Sequence, residues 1–186
     1  MKMVKALLNI YAKHSQSHPL RTNIFVGCGV WFFGDLFAQK LLEKREQINL
    51  TRLTVSSSWS GISSPFFFFW FRILDHKFPG TSHRQVLKKV LINLIVVPPV
   101  NATFLMYSTI IEGLLRDVND IMSSYTEGKR RVIEDTAKLC ISSTLFWFPV
   151  NYLNFAFVSP RFRVLPSIFV GVCWGAFLSL IGHRKL

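Results

Sequence analysis

The chain is short of acid. Ten Asp and Glu stand against 22 Lys and Arg, a formal net charge of +12 over 186 residues. No acidic residue precedes Asp35. Cysteine is rare too: Cys28, Cys140 and Cys173 each lie in an apolar stretch, and no two have C-x-x-C spacing. That argues against a metal knuckle, a dithiol redox pair or a disulfide framework, and predicts reduced thiols acting as small hydrophobes. The chain has no G-x-x-x-x-G-K-[ST], H-E-x-x-H, G-x-S-x-G or dinucleotide loop. His14, His18, His76, His83 and His183 fall at loops and ends without ligand spacing. The expectation is a protein that is not an enzyme and uses no metal or cofactor.

The longest absence is of charge itself. Segments 53–71, 90–111, 139–160 and 164–182 contain no charged residue. A bilayer core is crossed by roughly 20 apolar helical residues, a length that a buried helix of a soluble protein rarely needs. Segment 22–42 would qualify but for Asp35 and Lys40. The predicted fold is all-α, a polytopic transmembrane helix bundle of four to five spans forming one domain over 1–186. The spans fall near 20–42, 53–74, 90–112, 139–158 and 164–182, with a polar connector over 113–138 that extends the flanking helices beyond the bilayer. The count is four if the last two stretches form one re-entrant unit.

In a soluble protein this basic balance would suggest nucleic acid. Here the cations flank spans and face anionic headgroups, and neither an aromatic platform nor a zinc finger is present. The expected partners are membrane lipids and small solutes, not nucleic acid. With five spans the basic residues divide evenly between the two sides, so charge does not orient the chain. Residues 1–18 form a basic amphipathic helix, with Val4, Leu7, Leu8 and Tyr11 on one face and Lys2, Lys5 and Lys13 mostly elsewhere. The pattern fits a mitochondrial targeting segment or an uncleaved interfacial helix, with the second preferred.

Polar residues inside apolar spans are the candidate site. Asp35 has Gln39 one turn later on the same face; a carboxylate there costs several kcal/mol (roughly 3, by insertion scales) unless paired, hydrated or protonated. It reads either as a point on an internal solute path or as a structural hydrogen bond near a helix end. Asn93 and Asn101 in the third span, and Asn151 and Asn154 in the fourth, either bond across helices or line an aqueous cavity. Pro98, Pro99 and Pro149 in those spans tilt the reading toward a cavity, since proline removes backbone donors and kinks or breaks a helix; they are hinge candidates. Arg72 and Asp75 have the spacing of an ion pair. Gly171 and Gly175 form G-x-x-x-G, which packs helices within one chain or in a homo-oligomer.

A series of elements runs along nearly the whole chain: His18-Pro19, Gly34-Asp35 with Gln39, Pro65, Trp70, Leu74-Asp75, Pro79-Gly80-Thr81, Lys88-Lys89, Pro98, Trp147, Asn154-Phe155, Arg163, and Trp174 with Leu178-Ser179. In order and spacing it resembles the Mpv-type, 22-kDa peroxisomal membrane protein family. The resemblance implies a small integral protein of the mitochondrial inner membrane or the peroxisomal membrane. It further implies channel-like passage of small solutes, and a link to membrane potential, reactive oxygen and mitochondrial DNA maintenance. A non-conducting membrane scaffold or assembly factor is the alternative. The chain departs from the family pattern at Phe68, Phe71, Asn93 and Leu94, and Pro149 is displaced by one from the usual Trp-Pro pair.

Overall fold

The structure is a computed structural model that describes residues 11–182 except 12, 118 and 120, without the side chains of 42, 136, 161 and 175–182. Most of the amphipathic segment therefore lies outside the described residues. Every regular element among those described is helical. Helix α1 covers Pro19–Phe37 and continues as a π-helical turn, Ala38–Leu42; α2 is Leu50–Lys77, α3 His83–Arg116, α4 Ile121–Phe157 and α5 Val164–Gly182, preceded by a 3-10 turn at Pro160–Phe162.

Local chemistry explains the boundaries. Pro19 stands in the first turn of α1, where its missing N–H costs nothing. Asn49 caps α2, its side chain accepting from the Arg52 N–H at 3.0 Å. After α2, Pro79 and Gly80 turn the chain, with Gly80 at a φ of 89°, a conformation open to glycine. The polar stretch 113–138 is almost entirely helical, because α3 runs to Arg116 and α4 starts at Ile121.

Helices α2, α3 and α4 run through their prolines. Pro65, Pro98, Pro99 and Pro149 all sit inside helices assigned without a break. The expectation that Pro98-Pro99 kinks or breaks the third span is corrected to the extent that no break occurs there. Nor does the whole region turn inward: Val97 is buried, Pro98 half-buried and Pro99 exposed, as is Pro149.

Helix α1 packs along α2, α3 along α4, and α5 against α1. Small residues permit the close approach. A Cβ on Gly27 would lie 2.8 Å from the Ser60 and Ser64 hydroxyls, and one on Gly34 would collide with Val172. Gly171 faces Trp31 of the same chain, where a Cβ would sit 3.3 Å from the indole. That half of the G-x-x-x-G serves packing within the monomer, while Gly175 lies outside the described side chains.

The burial pattern is inverted relative to a soluble protein. Phe157 is 79 % exposed, Phe25 76 % and Leu145 73 %, while Asn23, Gln39, Asn151 and Asn154 are buried. Two helices, Pro19–Leu41 and His83–Arg116, are long and apolar enough to cross a membrane, and Val164–Trp174 is a shorter apolar helix. Helix α2 is diluted by its serines, and α4 begins with a charged half. The buried core gathers Phe68, Phe71, Leu74, Val86, Val90, Phe155, Val164 and Ile168. Phe71 meets Phe155 edge-on with centroids 5.4 Å apart, an arrangement that adds roughly 0.5–1.5 kcal/mol to area burial.

Candidate functional site: a neutral cavity between two charged ends

All five helices contribute to a partly open cavity of about 110 Å³. Trp31 comes from α1 and Trp59, Ser60, Ser63, Ser64, Phe67 and Phe71 from α2. Asn93, Val97, Val100, Asn101 and Phe104 come from α3, Trp147 and Asn151 from α4, and Ser167, Ile168 and Trp174 from α5. At roughly 10–15 Å³ per water position, the space accommodates several waters or one small solute.

The amides divide by environment. Asn93 accepts from the Trp70 indole N–H at 2.9 Å, which fixes its orientation at the cavity wall. Asn101 and Asn151 line the same cavity, and the side-chain NH2 of each has no protein partner. Asn151 is only 2 % exposed, and an unpaired buried amide costs about 1–3 kcal/mol unless something binds it. Asn154 is elsewhere: it donates to the Arg163 carbonyl at 2.9 Å and to Ser167 Oγ at 3.0 Å, closing the turn between α4 and α5. Of the four amides the sequence singles out, three share the cavity and Asn154 is a clamp.

Asp35 and Gln39 are not on this surface. Asp35 pairs with Arg52 at 2.5 Å, and Arg52 also holds Glu43 at 2.7 Å. Gln39 donates to Asp35 at 2.9 Å and exchanges hydrogen bonds with the Asn49 backbone at 3.2 and 2.7 Å. The assignment of Asp35 and Gln39 to an internal path is thus corrected: they tie the end of α1 to the start of α2. The π-helical turn there widens the helix by one residue, as such turns do at special sites, and it contains Gln39.

A second charged cluster closes the opposite end, where α2 finishes. Asp75 receives Lys89 Nζ at 2.8 Å and also pairs with Arg163. Lys89 is 1 % and Arg163 2 % exposed. Their remaining donors reach backbone carbonyls: Lys89 to Gly80 at 3.1 Å, Arg163 to Val158 at 3.1 Å and to Phe155 at 3.2 Å. The Phe155 ring lies 5.7 Å from Lys89 Nζ and 5.1 Å from the Arg163 guanidinium, within reach for cation–π attraction. The expected Arg72–Asp75 pair is corrected. Arg72 is exposed and lies over Phe68 at 5.3 Å, while Asp75 turns to two buried cations whose need for a counter-charge is greater.

Lys89, Arg163 and the α2 serines were not among the candidates from sequence. The signal for Lys89 was its spacing: Val86, Lys89, Val90, Asn93 and Val97 repeat on one helical face, and all are buried. The serines Ser60 and Ser64 likewise share a face with Phe67 and Phe71. Outside the apolar spans, Glu127 bridges Arg130 at 2.7 Å and Arg131 at 2.8 Å. Hydrogen bonds from Arg130 and then Arg131 hold the Glu127 carboxyl down to about 2, and the same pairing raises Arg130. No group of three or more metal-ligating side chains is present among the described residues.

An inverted bundle with ionic ends and a neutral interior defines a helical membrane protein. The Mpv17 / PMP22 family model matches residues 122–179. The chain is 34 % identical to PXMP2/4 family protein 4 of Dictyostelium discoideum, across 91 % of this chain and 89 % of that protein. It is 28 % identical to PXMP2/4 family protein 3 of the same organism, across 100 % and 96 %. It is also 28 % identical to the mitochondrial inner membrane protein Mpv17 of Rattus norvegicus, across 96 % and 99 %. The chain belongs to the Mpv17 / PMP22 family, whose members are mitochondrial or peroxisomal membrane proteins. No solved structure matches it.

Proposed function

We propose that the protein passes small solutes across an organelle membrane, in the first instance the mitochondrial inner membrane and alternatively the peroxisomal one. In this reading all five helices cross the bilayer, α2 and the apolar second half of α4 included. Both present large apolar side chains outward, among them Ile62, Phe69, Leu145 and Leu153, and turn polar ones inward. The observation that carries the reading is the partly open cavity between the helices with two unpaired amides, Asn101 and Asn151, since a hydrated path needs polar groups inside the bundle. A solute path of this kind would support membrane potential, reactive-oxygen handling and mitochondrial DNA maintenance. The test is osmotic swelling of liposomes containing the purified full chain, with charged and uncharged solutes. Swelling above protein-free liposomes that falls with Asn151→Leu, and persists with Asp35→Asn, supports this reading. Liposomes that stay silent to every solute refute it.

A scaffold or assembly role is the second reading. The first half of α4 exposes Met122, Tyr125 and Ile133 among its charges, a mixed surface suited to a protein partner. Silent liposomes together with a reproducibly co-purifying protein would select it.

A further inference from the structure

The cavity wall contains no Asp, Glu, Lys, Arg or His among its lining residues. The interior charges sit in the two end clusters, each paired. An ion stripped of water at a neutral wall loses more solvation than neutral dipoles restore. Two further features narrow the solute. Two lining serines spend their protons on the helices: Ser64 Oγ donates to the Ser60 carbonyl at 2.6 Å, and Ser167 Oγ donates to the Arg163 carbonyl at 3.2 Å while accepting from Asn154 at 3.0 Å. Their oxygens therefore offer lone pairs, while the Asn101 and Asn151 amides offer N–H. A hydroxyl both donates and accepts and so matches both sets. No lining carboxylate is present to hold a cation, and no lining Lys, Arg or His to hold an anion. Indole faces at Trp59 and Trp147 suit the C–H side of a carbon skeleton.

We infer that the cavity selects small uncharged polyols over ions of either sign, through the Asn101 and Asn151 amides, the α2 and α5 serines and a wall without charge. The inference rests on the solute-passing reading and names the chemistry of what passes. The volume of about 110 Å³ holds on the order of ten water positions at roughly 10–15 Å³ each, room for a small polyol together with water.

The test uses the full chain in phosphatidylcholine liposomes. Glycerol and erythritol entry is followed by stopped-flow light scattering, and potassium and chloride currents are recorded in planar bilayers from the same preparation. The expected result is polyol entry at least about tenfold above protein-free liposomes, with ionic current at baseline. Asn101→Leu with Asn151→Leu is expected to cut polyol entry at least about fivefold. Asn93→Asp, whose carboxylate can still accept from Trp70, is expected to add a current selective for potassium over chloride. Ionic current comparable to polyol flux in the unmodified protein overturns the inference and leaves solute passage standing. An Asn93→Asp protein silent to potassium overturns the claim that neutrality is the filter. No entry of any solute overturns the solute-passing reading, and the inference with it.

Discussion

Asp75 is shared by two buried cations, and Asp75→Asn removes only its charge. Lys89 and Arg163 are 1 % and 2 % exposed, so neither can recover hydration without opening the junction of α2, α3 and α5. Removing one partner of a buried pair costs about 3–5 kcal/mol, because the charge left behind stays buried. At about 2–4 °C per kcal/mol for a chain of this size, the expected loss in Tm is roughly 6–20 °C. The upper part of the range is expected if both cations are stranded. The carbonyl bonds from Lys89 and Arg163 and the Phe155 ring soften the loss without supplying a counter-charge. The assay is thermal unfolding of detergent-solubilised protein, read by tryptophan fluorescence. Arg72→Gln is the control: Arg72 is exposed and rests on Phe68, so its replacement should cost under about 1 kcal/mol, in the range of surface charges. A shift below about 2 °C for Asp75→Asn, or equal shifts for the two variants, would refute the assignment of Asp75 to the buried pair.

Two other outcomes follow from packing and titration. Gly34→Ala places a methyl group into Val172, an overpacking expected to cost about 1–3 kcal/mol. Adding Val172→Ala should recover most of that loss, and a double variant no more stable than Gly34→Ala would show that the α1–α5 contact is not the cause. Glu127 has its folded-state carboxyl lowered to about 2 by Arg130 and Arg131. Its contribution to stability is therefore full above its ordinary value of 4.5 and disappears as pH falls from there through about 2. Because the pairs are about half exposed, the effect should stay under about 1 kcal/mol. Amide-exchange protection in the first turns of α4, corrected for intrinsic rates, should drop over that window in the unmodified chain and not in Glu127→Gln.

The helices and their inverted surfaces were legible in the sequence because charge-free length and polar-residue scarcity are one-dimensional properties. The segments 53–74, 90–112 and 164–182 fall within α2, α3 and α5. What the sequence did not reveal was pairing. Asp35 and Asp75 each looked like the key residue of a local motif, with Gln39 four residues on and Arg72 three residues back. Helical spacing shows which residues can meet on one helix. It carries no information about Arg52 arriving from the start of α2 or Arg163 from the start of α5. The same blindness ran the other way for Asn154, which reads like Asn151 three residues earlier yet clamps a turn.

Those pairings set three cations against three carboxylates, so the net charge of +12 lies outside them. The interior charges are sorted to the two ends of the bundle, where Arg52 meets Asp35 and Glu43, and where Asp75 meets Lys89 and Arg163. Each end joins helices that the amphipathic pattern alone would leave free to slide. The middle, freed of the task of holding helices together by charge, is built from tryptophan, serine and asparagine. A chain that used Asp35 to attract ions would have to leave it unpaired in lipid, at a cost of several kcal/mol (roughly 3, by insertion scales). Pairing it with Arg52 offsets part of that cost and keeps it off the cavity wall. Asp35, which in the sequence looks like a charge on a solute path, ties α1 to α2 and leaves the cavity wall neutral.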